Sequence, residues 1–291
     1  MRRTTILAIG TVTVGLAVGA AVMANSTDSP PRATVVEAAP AGDAKAQVGD
    51  PDDPATWVLP IQMYMPTSRQ ALTVTSSREE LMDTCMSEAG FPEWKPSPDL
   101  PFLGGDNDMD ARYGINDLDQ AAKSGYHPDP DAQKAYDDAI DADVAGSATI
   151  DQQALLTCVQ KINHMVPQVN TPELIDRIGG ESWKEAQETP EVKAAFAHWS
   201  ACMKGKGYTY AKPMDANDDS KWSTSEAGEA SAKEKAVAVA DVECRDKYAV
   251  EKAWFDAEAA IQQRDIKEHA ADLDQLKTAM QEAVDRADQA R

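Results

Sequence analysis

The chain has 291 residues, 42% of them hydrophobic, with 28 Lys and Arg against 49 Asp and Glu, for a formal net charge of −21. Such a polyanion is repelled by phosphate backbones and anionic lipid headgroups, which excludes nucleic-acid binding and direct headgroup binding and leaves cations and basic proteins as natural partners. Its 4 cysteines show no C-x-x-C spacing, which argues against zinc and against a thioredoxin-like redox site.

Arg2 and Arg3 precede an uncharged run from Thr4 to Ala24, the layout of an export segment. Val22 and Ala24 suit a cleavage before Asn25, while the same run, if kept, is long enough to cross a bilayer. Residues 1–24 are therefore expected to be a signal peptide or an N-terminal membrane anchor, and membrane contact is expected only through residues 4–24. Export carries the cysteines into an oxidising compartment, where an even number implies two disulfides. Residues 25–53, rich in Ala, Pro, Asp and Ser without apolar periodicity, read as a disordered linker.

Trp57 to Met65 is apolar but interrupted by Pro60, with Pro66 just beyond, so it is expected to lie extended across a core rather than in a sheet. A helix is predicted from about Ser76 to Ala89. Its end, Cys85-Met86-Ser87-Glu88-Ala89-Gly90-Phe91, is repeated as Cys202-Met203-Lys204-Gly205-Lys206-Gly207-Tyr208. Both read as a last helical turn carrying a cysteine, stopped by a glycine at positive φ, with the next aromatic folding back as a lid. In each half a later helix supplies the second cysteine, Cys158 within Asp151 to Met165 and Cys244 within Glu229 to Trp254. Chain order favours Cys85–Cys158 and Cys202–Cys244 among the three pairings, with the crossed ones as alternatives.

Pro172 to Trp183 reads as a short amphipathic helix or linker. Thr189-Pro190-Glu191 then opens a helix that places Val192, Phe196, Trp199 and Met203 on one face. From Glu229 to the end there is neither proline nor glycine, which predicts one long helix, kinked or straight. Ile266, Leu273, Met280 and Ala287, with Leu276 and Ala283 between them, form a thin heptad, and beyond Ile261 a solvated helical tail is expected. The fold class expected is mainly α: two disulfide-clamped helical halves, the loop-rich residues 54–170 and residues 171–265, with a long C-terminal helix whose tail is residues 266–291.

Several phrases taken together carry a likeness: Leu59-Pro60-Ile61 with Tyr64, the Cys85-Met86 to Gly90-Phe91 turn, Arg112-Tyr113-Gly114-Ile115, Gly125-Tyr126-His127, Trp199-Ser200-Ala201-Cys202-Met203 to Gly207-Tyr208, and Val239-Ala240-Asp241-Val242-Glu243-Cys244. Over about residues 57–265 the chain resembles an uncharacterised family of secreted or lipoprotein-like actinobacterial proteins. The resemblance implies export, paired cysteines and residence in the cell envelope, and no chemistry. The acylated cysteine of the lipoprotein-like members is lacking here.

Candidate sites are few. In Asp215-Ala216-Asn217-Asp218-Asp219-Ser220 to Glu226, oxygen ligands stand at loop positions 1, 3 and 5, with a glutamate at 12, nearly a calcium-binding EF-hand loop. Ser220 stands where the sharp turn needs glycine, and Pro213 precludes a regular incoming helix. The expected Ca2+ ligands are Asp215, Asn217, Asp219 and Glu226; Asp106, Asp108 and Asp110 form a weaker copy. His198 and Cys202 share helical spacing, but Cys202 is better spent in a disulfide. Trp94 and Trp222 fall in polar or Pro-rich loops, where an aromatic folded onto the domain as a lid is the favoured reading and recognition of the cell wall the lesser one, whereas Trp199 and Trp254 read as core. No motif marks a nucleophile, a catalytic metal or a phosphate loop, so a non-catalytic envelope module is expected. It would bind a basic protein partner through its acidic surface or long C-terminal helix, with calcium binding as the alternative.

Overall fold

The computed structural model describes residues 44–103, 107–147, 151–224 and 230–290. The expectations for residues 1–24, and those for 25–43 of the linker, lie outside them. Among the described residues the protein is helical: α1 (Ser68–Glu88), α2 (Leu118–Ser124), α3 (Pro130–Ser147), α4 (Gln152–Met165), α5 (Glu173–Ala186), α6 (Pro190–Gly205), α7 (Pro213–Asn217), α8 (Ala232–Lys247), α9 (Val250–Glu268) and α10 (Ala270–Gln289).

α1 begins two turns before the predicted Ser76. Thr67 caps it, its hydroxyl accepting from Gln70 N at 3.3 Å while Gln70 Oε1 accepts from Thr67 N at 3.0 Å, and Pro66 ends the preceding segment. The two related turns form as expected. Gly90 (φ 97°) and Gly207 (φ 93°) stop α1 and α6. Phe91 N donates to Met86 O at 2.8 Å and Tyr208 N to Met203 O at 2.9 Å, so each aromatic folds back over its own helix end. Cys85 is bonded to Cys158, with Cα atoms 5.8 Å apart, and Cys202 to Cys244, 5.9 Å apart. One bridge ties α1 to α4 and the other ties α6 to α8.

The segment expected to be extended is bridged to Gln47 at Val58 by two backbone hydrogen bonds of 2.9 Å and then winds into a 3-10 turn, Pro60–Tyr64. It does lie across the core, against α5 and α9, and buries Trp57, Leu59, Ile61 and Tyr64. Trp57, Leu59, Met109 and Tyr113 pack in one cluster with Phe196, Trp199, Trp254 and Phe255, so the two disulfide-clamped halves share a core. Trp254 is its centre, with ring centroids 4.9 Å from Trp183, 5.2 Å from Phe196 and 5.4 Å from Tyr113.

The helical run after residue 229 is divided twice. At Ala249 the backbone takes a left-handed conformation (φ 48°) and the chain reverses. The reversal lets Val237, Ala240 and Cys244 of α8 share a cluster with Val250, Trp254 and Phe255 of α9, which one straight helix could not do. His269 marks a gentler bend, since the bonds His269 N to Asp265 O and Leu273 N to His269 O continue the helical pattern across it.

Beyond that bend the expected solvated tail is instead packed. Ala283, Val284 and Ala287 of α10 meet Val74 of α1 and Val166, and Leu273 joins Ile61, Ile175, Ile178 and Ile266. The heptad seam serves the interior of its own chain. Leu273→Ala should therefore cost about 2–5 kcal/mol of unfolding free energy in urea titration, the range for a buried leucine. A solvated tail would register under about 0.5 kcal/mol.

Candidate functional site

In the acidic loop expected to hold calcium, Asp215 and Asp219 accept from protein donors. As expected no helix leads into the loop before Pro213, which instead opens the short α7 across the first loop positions, and Asp215 caps it, its carboxylate accepting from Lys212 N at 3.0 Å. Asn217 Nδ2 donates to Asp218 at 2.8 Å. Asp219 accepts from Lys221 Nζ at 2.7 Å, Lys221 N at 3.1 Å and the Tyr210 hydroxyl at 2.9 Å, and these donors, Lys221 foremost, hold its carboxyl down at about 2. Glu226 and Asp106 lie outside the described residues. In the weaker copy Asp110 accepts from Asn116 Nδ2 at 3.1 Å. Among the described residues no three His, Cys, Asp or Glu side chains are grouped to hold a metal ion.

Trp57, Trp199, Trp222 and Trp254 are buried, and Trp94 and Trp183 are half-buried. Trp222 is 6% exposed, donates from Nε1 to Ala216 O at 2.7 Å and stacks on Tyr126, so its loop folds it onto the domain. Trp94 is half-buried against the Cys85–Cys158 bridge. Both aromatics thus fold onto the domain as lids, Trp222 fully and Trp94 in part. His198 stacks on Tyr248 at 5.4 Å, and Cys202 beside it is consumed by the disulfide.

What the structure does bring together is a file of buried polar side chains along α8 and α9. Glu234 (1% exposed), Asp241, Arg245, Glu258 and Gln262 (0% each) are all interior. Asp241 accepts from Arg245 Nε at 2.6 Å, Trp199 Nε1 at 2.8 Å and the Tyr126 hydroxyl at 3.0 Å. Burial works against the charge of Arg245, and Asp241 more than offsets it, so the guanidinium stays above its ordinary pKa. Arg245 Nη1 donates to the Tyr113 carbonyl, and a Cβ on Gly114 (φ 105°) would lie 2.5 Å from Nη2. Only glycine fits between that loop and the guanidinium.

The two flanking carboxylates hold the same loop region. Glu258 accepts from Arg112 through Nε (3.1 Å) and Nη2, from the Tyr113 hydroxyl (2.8 Å), Gln262 Nε2 (2.9 Å) and Ser182 Oγ (3.3 Å). Glu234 accepts from Tyr126 N at 3.0 Å and meets His127 Nδ1 at 2.6 Å. Burial, then Glu258 and Asp241 respectively, push the hydroxyls of Tyr113 and Tyr126 far above the ordinary tyrosine range. Each of these carboxylates is met by several donors, so the arrangement works as a clamp between residues 112–127 and the α8–α9 pair.

These residues coincide with the Arg112-Tyr113-Gly114, Gly125-Tyr126-His127 and Asp241 phrases, which the sequence marked without showing that they meet. The signal lay in spacing: Glu234, Asp241 and Arg245 share one helical face that also carries Val237 and Ala238. No protein-family model, no curated protein and no solved structure matches the chain.

Glu251 is the exception in this file. It is 8% exposed, and its Oε1 has no hydrogen-bond partner among the described residues. Burial pushes its carboxyl up to about 7, against the pull of Arg245 and with help from Asp246 and Asp241. The fold thus favours the protonated form. Its stabilising contribution is full below the ordinary value of 4.5 and is lost as pH rises towards about 7. Across that window the wild type should lose about 3 kcal/mol of unfolding free energy relative to Glu251→Gln. Parallel pH profiles for the two proteins in denaturant titration would contradict the assignment.

Proposed function

We propose that this chain is a non-catalytic protein of the cell envelope, acting outside the cytoplasm as an interaction module for a basic protein partner. Two disulfides support the compartment, since such bonds persist in oxidising surroundings. Among the described residues no helix is long and apolar enough to cross a membrane. Residues 4–24 carry the export or anchoring role in this reading.

The observation that carries the reading is α3. Of its residues 130–144 none is buried, although Ile140 (37%) and Val144 (62%) are large and apolar. Helices draw most of their stability from a packed face, and aspartate is a poor interior helix former. Yet α3 carries Asp131, Asp137, Asp138, Asp141 and Asp143 against Lys134, which is itself paired with Asp138 at 2.5 Å. Asp141 and Asp143 moreover stand towards the helix C-terminus, where the macrodipole disfavours negative charge. A basic, partly apolar partner would remove both penalties at once. The C-terminal helix, the other contact surface considered, spends its apolar seam inside the fold.

The test is capture of a basic partner from envelope extract at low ionic strength by the full chain with both disulfides intact. The complex should dissociate near about 1 M salt, where the screening length is about 3 Å. The variant D137N/D138N/D141N should keep the wild-type melting temperature, because these side chains are exposed, and lose the partner. A partner retained equally by the variant, or insensitive to salt, would refute the proposal.

A further inference from the structure

Between the 3-10 turn at Pro60–Tyr64, the loop before Arg112 and helix α5 lies a half-open cleft of about 360 Å³. Leu59, Ile61, Met109 and Ile175 lie beneath it as buried side chains, half-buried Met65 offers an apolar edge, and Asp108, Asp176 and Arg112 supply its charges. This volume is at the lower end for sites that take small organic ligands.

Gly179 and Gly180 form part of the same lining. They are consecutive glycines inside α5, each costing about 1 kcal/mol relative to alanine in a helix interior. The fold does not require them: neither has positive φ, and a Cβ on either would meet nothing within 4 Å. Their effect is to leave the cleft unfilled and to let a bound group approach the backbone of α5. The chain accepts a weaker helix where the alternative would be two methyl groups in this space.

The charges select the ligand. Arg112 is neutralised by Glu258, to which it donates from Nε and Nη2, and Nη2 also donates to Gly179 O at 2.9 Å. That leaves Asp108 and Asp176 as the unbalanced charge of the lining, in a chain already at −21. Anions are repelled, and a cation with an apolar stem can lay its methylenes along half-buried Met65 and the Gly179–Gly180 backbone and place its head at the aspartates.

We propose that this cleft is a binding site for a small aliphatic cation, an ammonium on a chain of several methylenes. The site stands apart from α3 and does not depend on the partner reading. The shared chemistry belongs equally to a free diamine and to a lysine side chain, and two probes separate those sources.

The experiment is a 1H-15N NMR titration of the full chain, disulfides intact, with 1,5-diaminopentane, with N-acetyl-lysine methylamide, and with glutarate as the anionic control. Saturable shifts confined to residues 59–65, 108–112 and 175–180 are expected with the amines and not with glutarate. Tighter binding of the first probe assigns a free amine, and of the second a side chain. Two variants should each weaken the amine by about tenfold or more, equivalent to about 1.4 kcal/mol. D108N/D176N removes the charge. G179A/G180L fills the space with all charges kept and should raise the melting temperature, since better helix formers replace glycine. Shifts scattered over the acidic surface without saturation, or equal affinity in G179A/G180L, would overturn the site while leaving the α3 proposal untouched.

Discussion

Arg245 lies wholly inside this protein, and a guanidinium deprived of water must be answered by acceptors or it will not stay there. Asp241, one turn earlier on α8, supplies the counter-charge, and the Tyr113 carbonyl supplies a further acceptor from a remote loop. That second requirement fixes the path of residues 112–115, admits only glycine at 114, and sets Tyr113 against Trp254 at the heart of the core. Asp241 in turn holds Trp199 and Tyr126, so one ion pair aligns α6, α8 and two loops. Replacing both charges by packed hydrophobes could be neutral for stability, whereas removing one alone costs about 3–5 kcal/mol. The pair thus defines which arrangement of loops is acceptable more than how stable the fold is.

The disulfides act on a different scale. Each joins a glycine-stopped helix to a later one, α1 to α4 and α6 to α8, and each sits beside its own apolar cluster. α1 and α4 share a small contact patch of Met82, Met86, Cys158 and Ile162, and a covalent tie there offsets the modest area buried. α6 and α8, by contrast, are already held by Trp199 and Asp241. The first bridge is the one on which its helix pair depends more.

What could be read from the sequence was what is local. The Cys-Met turns declare themselves because a glycine two residues beyond a helix end and a following aromatic are a matter of a few adjacent residues. Val192, Phe196, Trp199 and Met203 declare a buried face by spacing alone. The ionic file on α8 and α9 did not, since Glu234, Asp241 and Glu258 look like solvated positions until remote donors arrive from residues 112–127. The C-terminal heptad was visible as a pattern, but a pattern says that a seam will be covered and not by what; here α1 and the 57–65 segment cover it. Trp222 looked like a loop aromatic because its stacking partner, Tyr126, is distant in sequence. The cleft over Gly179 and Gly180 escaped for the same reason, being made by three separate stretches of chain.

The first described residue, Ala44, is buried among Ile61, Tyr64, Ile266 and Leu273, beside the bend between α9 and α10. The cluster that covers Ala44 also contributes Ile61 and Ile175 to the lining of the cleft over Gly179 and Gly180. A change of angle at the bend between α9 and α10 would therefore be felt at the cleft, because close-packed side chains transmit strain rather than absorb it.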